Sequence, residues 1–192
     1  MKARENPFRT ERVIATIRYA CSDGDLDTLV ARLATLGYRA AIVGPHGAGK
    51  TTLLEDLGVA LKDRGFRIVG LRLGTDDRRL PGDWPSRAAH LGPRDIVCLD
   101  GAEQLSAMQW LRFRWRARRA GGLIVTSHAP GRLPLLIACT TNPDLLERIV
   151  LRLSPAPAEG APSAAELFRR HRGNVREALR ELYDFHAAGG VS

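Results

Sequence analysis

The residues Gly44-Pro45-His46-Gly47-Ala48-Gly49-Lys50-Thr51 fit the spacing G-x-x-x-x-G-K-[ST] without a mismatch. These residue types suit one task, which is to hold a polyphosphate anion. Glycines let the backbone curl so that successive N–H groups point inward as an anion nest. A helix opening at the end of the loop adds the positive end of its dipole. Lys50 supplies a cation for the β- and γ-phosphates, and the Thr51 hydroxyl is the kind of oxygen that ligates Mg²⁺. Thr52 is a secondary neighbour. A chance glycine turn with an exposed lysine would explain the letters but not their place between an apolar run and a helical pattern.

A second group of acids lies further along. Asp95–Asp100 (DIVCLD) is an apolar run that ends in a carboxylate. An acid at the carboxyl end of a buried strand can hold Mg²⁺ through water. Hydrolysis also needs a group that orients or deprotonates water. Gly101 follows the strand and the next acid is Glu103. Either Glu103 reaches in from the first turn of the following helix, or turnover is slow. A glutamate placed only to favour a helix N-terminus is the competing reading.

The elements that must position these groups can be read from periodicity. Leu26, Leu29, Val30, Leu33 and Leu36 share one face of a helix that Gly37 closes. Arg39–Gly44 is a buried strand entering the loop, and Lys50–Arg64 is a helix stopped by Gly65. Phe66–Leu73, Asp95–Asp100, Gly122–His128 and Leu135–Thr141 complete a set of five strands. Thr75–Arg94, rich in Pro, Gly and charge, reads as irregular connection. A helix follows over Pro143–Leu153, then a linker, then a capping-box pattern at Ser163–Glu166 opening two short helices that meet near Gly173–Asn174. Alternating strands and helices predict a three-layer α/β domain with a mainly parallel five-stranded sheet and a short C-terminal helical lid. Only Ala129–Pro134 separates the last two strands, whereas a parallel crossover normally takes a dozen or more residues. The fifth strand is therefore expected to run antiparallel. The organisation expected is an N-terminal arm over 1–25, a core over 26–153, a linker over 154–163 and a lid over 164–192.

The strand–loop–helix around Lys50 and the strand ending at Asp100 resemble the ASCE division of P-loop NTPases, and within it the AAA+ and STAND-type ATPases. Thr126–Ser127–His128 ends the fourth strand, where AAA+ proteins carry a γ-phosphate sensor. Gly173–Asn174–Val175–Arg176–Glu177 resembles the lid motif whose arginine contacts nucleotide. The spacing of Asp100 and Glu103 is similar to the STAND pattern. The resemblance covers residues 39–141 well and 163–186 loosely. It implies ATP and Mg²⁺ as cofactors, Lys50, Asp100 and Glu103 as catalytic groups, and Gly44–Thr52, His128 and Arg176 around the nucleotide. The lid is shorter than a full AAA+ bundle, and the helix that carries an arginine finger has no room between the last two strands. No Asn-Lys-x-Asp guanine motif follows a strand, so adenine is preferred by elimination. A nucleotide-gated interaction module with little turnover is the alternative function, and a small-molecule kinase a third.

Charge is distributed unevenly. The net charge is +8, and Gln104–Asn142 holds six arginines with no Asp or Glu. Within it, residues 110–119 (WLRFRWRARR) alternate apolar and basic from Leu111 to Arg118, a period that suits a half-buried strand. Topology favours a helix here, which places Met108, Leu111 and Trp115 on one stripe and Trp110, Phe113 and Ala117 on another. One stripe should face the sheet and leave the other needing a cover. The leading reading is an interface for a protein partner or a second copy of the chain. Nucleic-acid binding by arginines with aromatic stacking, and a basic face covered by the chain's own arm, remain open. Cys98 and Cys139 fall in apolar runs as core thiols, and an odd count of three cysteines gives no disulfide framework. No stretch approaches the ~18–20 apolar residues of a membrane span, and the N-terminus lacks a signal-peptide core. A cytoplasmic location is the expectation.

Overall fold

Apolar runs of four to six residues, rich in Ile, Val and Leu, pair because both of their faces can be buried. The computed structural model describes residues 26–74, 78–155 and 160–188; the expected N-terminal arm and Cys21 lie outside them. In chain order the elements are α1 (Leu26–Thr35), β1 (Arg39–Val43), α2 (Lys50–Asp63), β2 (Arg67–Arg72), α3 (Trp84–Ala89), β3 (Asp95–Asp100), α4 (Ala107–Arg116), β4 (Gly122–Ser127), β5 (Leu135–Ala138), α5 (Pro143–Leu153), α6 (Ala164–Arg170) and α7 (Val175–Ala188). The described residues divide into two compact units. One comprises the described residues within 26–44 and 53–138, the other Pro45–Thr52 and the described residues from Cys139 onward.

The first unit holds a five-stranded sheet in the order β2-β3-β4-β1-β5, with every pairing parallel. Ala41, Val43, Val97, Leu99, Leu123 and Val125 form one core with Trp84, Trp110, Phe113 and Ala117 of α3, α4 and the turn after it. The alternate residues Ala40, Ile42, Ile96, Cys98 and Ile124 are also buried, as alternation across a pleated sheet requires. Gly58 of α2 lies against Ile68 on β2. These are the helix–sheet–helix layers expected from the sequence.

Two expectations are corrected. β5 is parallel to β1, not antiparallel. Its four residues pair only with Ala41–Val43, so the return from the end of β4 descends about two residues, roughly 7 Å at ~3.3 Å each. Crossing β1 adds about two strand spacings, roughly 10 Å. The seven residues 128–134 can extend to ~23 Å. A very short strand thus removes the need for a long crossover. The second correction is α3, which interrupts the segment read as irregular. At six residues it is too short to show helical periodicity, but it places Trp84 5.1 Å from the ring of Phe113.

The second unit buries Leu145, Leu146, Ile149 and Leu153 of α5 with Leu167 of α6 and Val175, Ala178, Leu179 and Leu182 of α7. Asn142 caps α5 by accepting from Leu145 N at 2.7 Å, ahead of a proline in the first turn. Ser163 caps α6 by accepting from Glu166 N at 3.2 Å, the hydroxyl half of the expected capping box.

Candidate nucleotide site

The loop Gly44–Gly49 joins β1 to α2, and its shape depends on backbone conformations that favour glycine. Gly47 has φ 73° and Gly49 φ 79°. The side chain of Lys50 folds back over the loop, its Nζ donating to Pro45 O at 2.7 Å. Lys50 and Thr52 are both buried. The first turn of α2 carries no acidic residue, so the positive end of a 14-residue helix is left uncompensated by its own sequence. Cys139 reports the same charge: burial pushes its thiol up, and the Lys50 ammonium pulls it part of the way back.

Within this unit the start of α7 lies on the loop. A methyl group added to Gly47 would come within 2.2 Å of Asn174 Oδ1 and 3.3 Å of Arg176 N. Asn174 Oδ1 also caps α7, accepting from Glu177 N at 3.3 Å. The structure therefore brings the main chain at Arg176 against the phosphate loop. Sequence reasoning singled out Arg176 and missed Asn174, although Gly-Asn before a helical run is a cap signal.

In the sheet unit, six polar side chains gather around the carboxyl ends of the strands. Asp100 Oδ1 accepts from Thr126 Oγ1 at 2.6 Å, and the same Oγ1 accepts from Gly101 N at 2.8 Å. Asp100 Oδ2 accepts from Arg72 Nε at 3.2 Å, while Arg72 also reaches Glu55 Oε1 at 3.2 Å. Glu103, on a 3₁₀ turn over Ala102–Gln104, sets Oε1 3.4 Å from His128 Nε2. Its second oxygen, Oε2, is buried with no hydrogen-bond partner among the described residues. Of the three polar residues ending β4 and entering the next loop, Thr126 serves Asp100, His128 meets Glu103, and Ser127 turns into its own loop by donating to Ala129 O at 2.8 Å.

The turn at Gly101 explains why the acid is at 103. Gly101 has φ 85°, and a Cβ there would lie 2.4 Å from Leu73 O. A glutamate directly after Asp100 would be strained in φ and would collide with the backbone after β2. Arg72 and Glu55 were not foreseen. The signal for Arg72 was present: RIVGLR and DIVCLD are equal in length with opposite charges at both ends, and the register sets Arg67 against Asp95 and Arg72 against Asp100. At the opposite end Arg67 grips Asp95 with two bonds of 2.5 and 2.8 Å.

Among the described residues no cluster of three or more His, Cys, Asp and Glu side chains could hold a metal alone. The hydroxyl of Thr51 in one unit and the carboxylate of Asp100 in the other are each hard oxygen donors, the kind that Mg²⁺ takes alongside waters and substrate phosphates. Both Asp100 oxygens already accept a hydrogen bond, which suits contact through water rather than direct ligation.

No family model matches the chain. It is 24% identical over 143 residues to GPN-loop GTPase 2 of Xenopus laevis, covering 68% of this chain and 43% of that protein. In structure it resembles Cdc6p from Pyrobaculum aerophilum, with a TM-score of 0.55, 20% identity, and coverage of 85% of this chain and 62% of that one. It also resembles the replication initiator DnaA solved with AMPPCP and single-stranded DNA, with a TM-score of 0.57, 17% identity, and coverage of 81% and 58%. The chain thus spans less than two thirds of each of these proteins. The parallel sheet, the glycine loop entering α2 and these likenesses agree, and the chain has the fold of a P-loop NTPase of the ASCE type.

Proposed function

We propose that the protein is a Mg²⁺-dependent ATPase. Lys50, Thr51 and the amides of Gly44–Thr52 hold the phosphates, Asp100 serves the metal through water, and Glu103 orients the attacking water. Arg176 and His128 attend the γ-phosphate. Bound Mg²⁺ would supply charge neutralisation for the transferring phosphoryl group. The observation that carries hydrolysis over mere binding is the buried, unpartnered Oε2 of Glu103. A carboxylate oxygen left so costs about 1–3 kcal/mol, and a water donating to it removes that cost. The other oxygen, Oε1, lies 3.4 Å from His128 Nε2, a contact that orients the carboxylate before any water arrives.

The adenine base is supported by the missing guanine motif and by the AMPPCP in the DnaA structure; the name of the Xenopus relative speaks for GTP. Equilibrium binding of both nucleotides decides between them. Lys50→Ala should abolish nucleotide binding. Glu103→Gln should keep binding and lower steady-state turnover at least tenfold. Unchanged affinity in the first variant sinks the phosphate site, and unchanged turnover in the second removes Glu103 as the water-orienting group.

A second reading is a nucleotide-gated interaction module with little turnover. It is favoured by the start of α7 resting on Gly47, which would let the loop's occupancy set the position of the C-terminal helices. Tight binding without phosphate release selects it. Transfer of the γ-phosphate to an acceptor other than water would select a kinase instead.

A further inference from the structure

The helix α4 presents one face to the core and another to solvent, and the solvent face is unusual in both its charge and its apolar content. Trp110 and Phe113 are buried, while Met108, Leu111 and Trp115 are 60%, 58% and 61% exposed. These three recur at i, i+3 and i+7, a single stripe. Arg112 and Arg116 lie on one side of it, and Arg114 and Arg118 on the other, each pair one helical turn apart. Like charges at this spacing destabilise a helix. No carboxylate among the described residues pairs with Arg112, Arg114, Arg116, Arg118 or Arg119.

Two grooves adjoin this stripe. One, of ≈ 770 Å³, is lined by Leu111, Arg112, Arg114, Trp115, Arg116 and Arg118. The other, of ≈ 610 Å³, shares Arg114 and Arg118 and adds Arg39 and Arg132. Neither has an acidic residue among the described residues of its lining. Arg39 and Arg132 are fixed in place: Arg39 donates to Ala120 O at 2.8 Å, and Arg132 donates to Leu105 O at 2.5 Å with its guanidinium 5.1 Å from the Trp110 ring. Arg118 lies 4.6 Å from the centre of the exposed Trp115 ring. The indole is therefore braced by a cation.

We propose that this face binds single-stranded nucleic acid, with the arginines of the two grooves on successive phosphates and a base stacked on Trp115. A phosphodiester strand offers one anion per nucleotide together with a flat aromatic surface, and both match what the face displays. Neutralising the crowded guanidiniums releases counterions, which supplies affinity without sequence preference. A second copy of the chain is disfavoured because the same arginine face would meet a protein of net charge +8. The proposal does not depend on nucleotide hydrolysis.

The test uses the full chain without nucleotide, titrated with fluorescein-labelled dT20 and rU20, a 20-base-pair duplex, and an acidic amphipathic peptide of alternating Glu and Leu helical turns. Trp84 and Trp110 are only 1% and 7% exposed, so quenching of tryptophan emission by the unlabelled strands reports Trp115. Both single strands should bind and quench, and the log–log salt slope should be about −4, as ~0.7 per phosphate predicts for one contact from each arginine of the two grooves. Arg114→Glu/Arg118→Glu should weaken binding at least 30-fold and flatten the slope by about 1.4. Trp115→Leu should weaken it about 5- to 150-fold with the slope unchanged, and Trp115→Phe should restore most of the loss. These side chains are exposed, so thermal melts should not move, and the quenching of the unaltered chain needs no variant. Absence of binding at 50 mM salt, binding without quenching, or equal affinity for the duplex overturns the proposal. So does peptide binding that depends on Trp115 when the oligonucleotides fail, because the face is then a protein-docking surface.

Discussion

Gly47→Ala examines the contact between the phosphate loop and α7 in a way that can be worked through in numbers. Its backbone has φ 73°, which costs a residue bearing a Cβ about 1–2 kcal/mol. The added methyl would stand 2.2 Å from Asn174 Oδ1, too close for the amide to stay. Asn174 would have to rotate and give up its bond from Glu177 N, losing a cap worth about 0.5–2 kcal/mol. The single substitution should therefore destabilise by about 1.5–4 kcal/mol, with nucleotide affinity falling alongside it. Asn174→Ala alone should cost only the cap. In the double variant the cap is lost once rather than twice and the collision is gone. Denaturant melts of the four proteins should then give a coupling of about 1 kcal/mol or more. Additivity within about 0.5 kcal/mol would mean that the amide does not lie on the loop, and the reasoning would be wrong.

Other consequences follow from single contacts. Gly101→Ala places a Cβ 2.4 Å from Leu73 O at φ 85° and should cost about 2–4 kcal/mol in chemical denaturation. Asp95 is held below the usual carboxylate range by its hydrogen bonds from Arg67, against the opposing effect of burial. The unfolded chain therefore binds this proton first, so the stability from Asp95 is complete above its unfolded pKa and lost as pH falls through the lower folded value, below about pH 4. Asp95→Asn should flatten that part of the stability–pH curve. Burial pushes the Cys98 thiol up to about 12, leaving about one thiolate in 10⁵ at neutral pH. In a Cys21→Ser background, a thiol reagent at pH 7 should label neither Cys98 nor Cys139 until denaturant is added, as shown by intact mass.

The phosphate loop was legible because its chemistry demands particular residues at fixed spacing, and the apolar runs around it fixed where a strand must end and a helix begin. The two stripes of α4 were legible for the same reason, since a helical period sorts Trp110 and Phe113 from Met108, Leu111 and Trp115 without coordinates. The direction of β5 was not. Local sequence sets the length of a connection, but whether that length suffices depends on how little of β1 the new strand covers. The meeting of Glu103 with His128 was equally hidden, because it joins a turn after β3 to the residue after β4 through strand order alone. Arg72 lies between these cases: its pairing with Asp100 could have been read from the matched ends of two six-residue runs, had the neighbouring order of β2 and β3 been assumed.

Thr126 links the parts of the strand-end cluster. Its hydroxyl donates its one proton to Asp100 and accepts from Gly101 N, so one atom fixes both the carboxylate and the first amide of the turn that leads to Glu103. Gly101 cannot move without disturbing that bond, and Asp100 is held on its other side by Arg72. A valine at 126 would keep the strand and its burial but remove both hydrogen bonds. The group proposed for the metal and the group proposed for water are then not independent positions on a scaffold. The Thr126 hydroxyl joins the Asp100 carboxylate to the first amide of the turn that carries Glu103, so whatever displaces Asp100 is transmitted to that turn.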